Sequence, residues 1–108
     1  MNNKQEILLK NFSGNTSTLT VAQSNEAYQA VKRGVKSGHE IKLNASGIES
    51  LQADASTLLF GRIASDKELA MNVVISGMTN NLLQIIEMGM REGENKKKMK
   101  TILDKYQL

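Results

Sequence analysis

The residues able to do chemistry are few and scattered. Cysteine is absent and histidine occurs once, at His39. That excludes a disulfide scaffold, thiolate metal sites and a cysteine nucleophile, and it leaves a His-based triad or a His-rich zinc site without its parts. His39 follows Gly38 between a helical and a strand pattern, so it reads as an exposed junction residue rather than a ligand. Glu49 and Glu87 have no second acid at a readable spacing, and paired acid–base work needs one. No phosphate-cradling loop, Gly-x-Gly-x-x-Gly run or zinc signature is present. The expectation is a chain without catalysis, bound metal or organic cofactor.

What remains is a set of hydroxyls, one well-placed acid and a group of lysines. Ser50, Ser56 and Thr57 surround Asp54, which reads as the cap of a helix. Residues 1–90 carry eight Lys/Arg and eight Asp/Glu, so that stretch is neutral. The whole +3 excess lies in residues 91–108, where Arg91, Lys96, Lys97, Lys98, Lys100 and Lys105 meet Glu92, Glu94 and Asp104. Two Phe, two Tyr and no Trp offer few platforms for stacking bases. The lysine run therefore reads as the solvated face of a terminal helix, in preference to a nucleic-acid or anionic-lipid tail. The six methionines concentrate in the second half. They read as core filler, although Met88 and Met90 beside Gly89 also suit an adaptable partner surface.

The elements that must position these groups fit one domain, since 108 residues leave no room for two. With 40% apolar and 23% charged residues the composition is that of an ordinary globular protein. No apolar run approaches the roughly 20 residues of a membrane span. Met1-Asn-Asn-Lys-Gln-Glu does not read as a signal peptide. A small cytoplasmic domain is expected.

Proline is absent, so turns fall to Gly, Asn and Ser. Residues 4–12 predict a strand, and the β-branched alternation from Thr16 to Val21 predicts a second, paired with the first as a hairpin. Ser24 reads as an N-cap for a helix carrying Ala27, Ala30, Val31 and Val35. Gly34 on that face suggests close approach to a sheet, and Gly38 a left-handed end. Glu40 to Ala45 alternates as a strand, and residues 48–53 read as a loop or brief turn. Asp54 opens a helix with Ala55, Leu58, Leu59 and Ile63 on one face, closed by residues 65–68. Leu69 to Ile75 reads as a strand buried on both faces. Thr79 caps a third helix bearing Leu82, Leu83, Ile86 and Met90, interrupted at Gly89 and Gly93. Met99, Ile102, Leu103 and Tyr106 space a last amphipathic helix over about residues 94–106. The order ββαβαβα plus a terminal helix predicts an α/β domain, core about 4–91, with a mixed sheet of four or five strands and right-handed crossovers.

Four segments in this order carry a resemblance. Phe12-Ser13-Gly14 and Ile41-Lys42-Leu43-Asn44-Ala45-Ser46-Gly47-Ile48 resemble the STAS domain, the family of bacterial anti-sigma factor antagonists. So do Leu58-Leu59-Phe60-Gly61-Arg62, and Val73-Val74-Ile75-Ser76-Gly77-Met78 followed by Leu82-Leu83-Gln84-Ile85-Ile86-Glu87. The resemblance runs from residue 6 to about 90. It implies a STAS-like fold and a non-catalytic module of partner-switching signalling. Its implied partner is an anti-sigma factor of serine-kinase-like fold, released when a Ser or Thr at the start of the second helix is phosphorylated. A different implied role is a STAS-like subunit of an ABC-type lipid or solute transport system, docked on its ATPase. In both the partner surface corresponds to Gln52, Ala53, Asp54, Ser56 and Thr57.

At that surface the chain departs from the family. The motif Asp-Ser-Ser-Gly or Asp-Thr-Ala-Gly lies five residues after the Ser-Gly turn and nine before the helical Gly. Counting from Gly47 and back from Gly61 both reach Gln52, so Gln52-Ala53-Asp54-Ala55 stands in its place. Ala53 has no hydroxyl, and the family's strand-end Asp is Asn44. Two roles stay open for Asp54. One is a helix cap, worth about 0.3–1 kcal/mol to the helix; the other is a fixed mimic of a phosphate, whose three oxygens one carboxylate reproduces poorly. Ser50, Ser56 and Thr57 are the substitute hydroxyls, with local backbone bonding as the alternative use of Ser56 and Thr57.

Overall fold

A computed structural model describes residues 3–93. Strand β1 (Asn3–Leu8) pairs in parallel with β3 (His39–Asn44), and β3 pairs in parallel with β5 (Val73–Ser76). A second small sheet joins β2 (Thr18–Leu19) to β4 (Ser50–Leu51), again in parallel. The described residues thus form an α/β domain with five strands in two parallel sheets, where the sequence predicted one mixed sheet.

The expected hairpin does not form. The first strand stops at Leu8, and Leu9 turns inward, fully buried, ahead of the short helix α1 (Lys10–Ser13). Phe12 N–H donates to the Leu9 carbonyl and Gly14 takes φ 65°, a conformation that suits glycine. This helical turn carries the chain off the edge of β1, so β2 meets β4 instead of reversing onto β1.

Helix α2 (Val21–Lys36) starts earlier than its expected cap. Thr20 accepts from Gln23 N–H at 3.2 Å, and the Gln23 side chain accepts from Thr20 N–H at 3.0 Å. Such a reciprocal box satisfies two otherwise orphan donors. Ser24, the expected cap, lies one turn inside and is buried. The two expected glycine features are present. A Cβ on Gly34 would stand 2.5 Å from Ile41 Cδ1, so the helix lies tight on β3, and Gly38 ends the turn at φ 90°.

The next helix runs through α3 (Ala53–Ser56), a π turn over Thr57–Gly61, and α4 (Arg62–Ser65). Every residue from Ala55 to Gly61 is buried, which no single α-helical stripe achieves. Asp66 then caps a further helix, α5 (Lys67–Asn72), accepting from Glu68 and Leu69 N–H at 3.0 and 3.2 Å. This cap corrects the strand expected from Leu69, because the first residues of that run are wound into a helix and only Val73–Ser76 remain extended. Nor is that strand covered on both faces: Val73 and Ile75 pack on the core while Val74 is 67% exposed. Val74 shares its face with Lys42 and Glu6, which form an exposed ion pair at 3.6 Å.

Helix α6 (Asn80–Gly93) begins as expected, with Thr79 Oγ1 accepting from Leu82 N–H at 3.1 Å. It passes through Gly89 without a break. Leu82 and Ile86 join Leu9, Leu19, Val31, Ile41, Leu43, Leu59 and Phe60 in the main core. The expected helix at about residues 94–106 lies outside the described residues.

Candidate functional site

The residues singled out in the sequence come together at the start of α3, but they divide into two layers. Gln52 is the N-cap position, extended at φ −62° and ψ 146°, and exposed. It offers no side-chain cap bond; its carbonyl accepts from Ser56 N–H at 3.0 Å. Ala53 follows as the first helical residue, also exposed. Asp54 is half-buried in the first turn and is not the cap, which corrects that expectation. Its charge still sits where a helix favours an anion.

The hydroxyls of the next turn point inward. Ser56 is 1% exposed and donates to the Ile85 carbonyl of α6 at 2.8 Å. Thr57 is 4% exposed and donates to the Ala53 carbonyl at 3.3 Å. Both serve the backbone, and neither is open to a kinase in the folded chain. Ser50 is half-buried in β4, its hydroxyl 2.8 Å from that of Thr18 across the small sheet. The upstream strand end is also used internally, since Asn44 Oδ1 accepts from Ser46 N–H at 2.9 Å.

Beside this helix start lies an open groove of about 210 Å³, lined by Leu51, Ala53, Asp54, Thr57, Ile85, Met88 and Gly89. Its floor owes its shape to Gly89. A Cβ there would stand 2.7 Å from the Ser56 carbonyl carbon and oxygen and would strike the Ser56 hydroxyl. Only a glycine lets α6 settle onto α3 at this height. Met88 projects from the rim, 64% exposed, while Met90 packs partly against the core. The sequence marks Met88 and Gly89 as notable but gives no sign that they meet Leu51 and Ala53, since that meeting is tertiary.

The other chemically able residues stay apart. His39 opens β3, half-buried, with Nδ1 donating to the Gly34 carbonyl at 3.2 Å. Glu49 accepts from Ser17 Oγ at 3.4 Å, and Glu87 is exposed on α6. Among the described residues no three His, Asp or Glu side chains gather as metal ligands, and no helix is long and apolar enough to cross a membrane. Comparison with known proteins adds no relative: no family model, no curated protein and no solved structure matches the chain.

Proposed function

We propose that this chain is a non-catalytic protein-binding module of the anti-sigma factor antagonist type, with a STAS-like fold. Its partner is a protein of serine-kinase-like fold, and it docks through the start of α3 and the groove beside Met88. The observation that carries this reading is the position of Ala53. It corresponds to the family's phosphoacceptor, and it is the exposed first residue of a helix on the rim of an apolar groove. On this reading the family's docking position is retained at the start of α3, while its chemical switch is missing.

Binding on this reading is constitutive, or is governed elsewhere than at Ala53. Ser56 and Thr57 are committed to the helix pair, so they do not replace the absent hydroxyl. Such a module works in the cytoplasm, where its partner binds ATP. Affinity purification of the full chain from its native host tests the reading. Recovery of an ATP-binding protein of kinase-like fold supports it. Recovery of a transporter ATPase in its place would move the chain to the transport role that the resemblance also implies.

A further inference from the structure

Strand β1 is an edge of the main sheet, and among the described residues no strand pairs with its outer side. All of its residues but Ile7 are exposed. Leu9 N–H donates inward to the Asn44 carbonyl at 2.9 Å. Backbone groups alternate in direction along a strand, so Lys4, Glu6 and Leu8 turn their N–H and C=O groups to the open side. On the uncovered face of the sheet Lys4 lies beside Glu40, and Glu6 beside Lys42. A lone charge guards such an edge against pairing. A Lys and a Glu two residues apart do the reverse when the incoming strand is the same one, running antiparallel.

We infer that two copies of this chain join through β1, antiparallel and centred on Gln5, so that their main sheets become one. In this register Lys4 stands opposite Glu6 of the second copy and Glu6 opposite its Lys4, each pair exchanging both backbone hydrogen bonds. The charges then alternate across the seam, from Glu40 to Lys4 and on to Glu6 and Lys42 of the second copy. Opposite charges facing each other across strands stabilise a pairing, and like charges destabilise it. The neighbouring registers are worse. Centring on Lys4 or on Glu6 sets like charges face to face, and centring on Ile7 sets Glu6 against Leu8. A one-residue slip would match open-side groups with groups already bonded to β3. On the other face Gln5 meets Gln5 of the second copy beside an open polar cleft of about 270 Å³ between β1 and α2, with Gln5, Arg33, Ser37 and His39 among its lining. That cleft leaves room for the incoming amide.

A seam of one strand per copy belongs to the small interfaces, below about 1,200 Å², that associate weakly. Sedimentation of the full chain between about 10 μM and about 1 mM should therefore show a monomer giving way to a dimer. Lys4→Glu and Glu6→Lys should each weaken self-association by about tenfold or more, because each sets like charges opposite one another on both sides of the axis. Mixed in equal amounts, the two variants should pair with each other, since every opposed pair is again of opposite sign. Lys4→Glu and Glu6→Lys combined in one chain should restore the homodimer. The chain has no cysteine of its own, so Gln5→Cys gives a second reading: it should link two chains on oxidation, as the close approach at a non-hydrogen-bonded antiparallel pair allows. Val74→Cys, exposed but away from this edge, should not. A chain that stays monomeric throughout the range overturns the inference. So does a dimer that both single variants leave unchanged, and so do single variants that remain monomeric when mixed. These readouts need no partner and touch no residue of the groove, so this inference and the proposed function fail separately.

Discussion

The Ser56 hydroxyl donates to the Ile85 carbonyl at 2.8 Å, at the point where Gly89 of α6 has no side chain to block the approach. This contact sets the height of α6 over α3, and so the depth of the groove between them. A glycine inside a helix costs about 1 kcal/mol relative to alanine. Here the close approach outweighs that cost. Gly89→Ala should destabilise the domain by about 1–3 kcal/mol instead of stabilising it, because the new methyl meets backbone that cannot step aside. Thermal unfolding of the variant reads the sign, and a raised midpoint would show that the helices do not pack this closely.

Two serine-to-alanine changes should act in opposite directions. Ser56→Ala removes a buried interhelical hydrogen bond and should cost about 1 kcal/mol. Ser24 is also buried, but its hydroxyl finds no partner among the described residues. Ser24→Ala should therefore be neutral or stabilising by up to about 1 kcal/mol, helped by the better helix propensity of alanine. Denaturant melts of the two variants side by side give the comparison.

Asp66→Ala should cost about 0.5–2 kcal/mol, the usual loss when a capping side chain is removed. Asp66→Asn keeps an acceptor for the Glu68 and Leu69 N–H groups and should recover most of it. If Asp66→Ala melts with the parent chain, α5 does not depend on its cap.

Gly77 crosses the loop after β5 at φ 74°, and a Cβ on it would lie 2.6 Å from Asn44 Oδ1 and 2.8 Å from Ser46 N. Both conformation and space oppose a side chain. Gly77→Ala should lower stability by about 2 kcal/mol or more. Where contact with Asn44 Oδ1 is the larger part, that loss should fall sharply when Asn44→Ala is added. Additive losses in the double variant would assign the cost to φ and to the Ser46 contacts, which Asn44→Ala does not relieve.

The sequence is legible where one local signal dominates. Alternation at Ile41 and Leu43 finds β3, and Gly34 with Gly38 finds the packing and the end of α2. It misleads where one residue serves two grammars. Thr18, Thr20 and Val21 are β-branched and read as strand, yet Thr20 and Gln23 close a capping box and Val21 is helical. Asp66 sits in a polar run that reads as a helix ending, yet it caps the next one. The parallel pairing of β2 with β4 depends on residues about thirty apart, and no turn motif announces it. The site divides in the same way. Counting from Gly47 and Gly61 reaches the helix start at Gln52 and Ala53, but the wall made by Ile85, Met88 and Gly89 arises only when α6 packs on α3.

The most direct test of the proposed function places charge at Ala53 and reads binding. Calorimetric titration of the full chain with the kinase-fold protein recovered from its host should give a saturable complex. Ala53→Ser should leave that affinity nearly intact. Ala53→Glu should weaken it by about tenfold or more, since a charge buried in an interface shaped without it costs upward of about 1.4 kcal/mol. Val74→Glu, on the uncovered sheet face, should leave the affinity as it is. Equal affinities for the parent chain and Ala53→Glu, with Val74→Glu the weaker binder, would contradict the account and move the interface to the sheet.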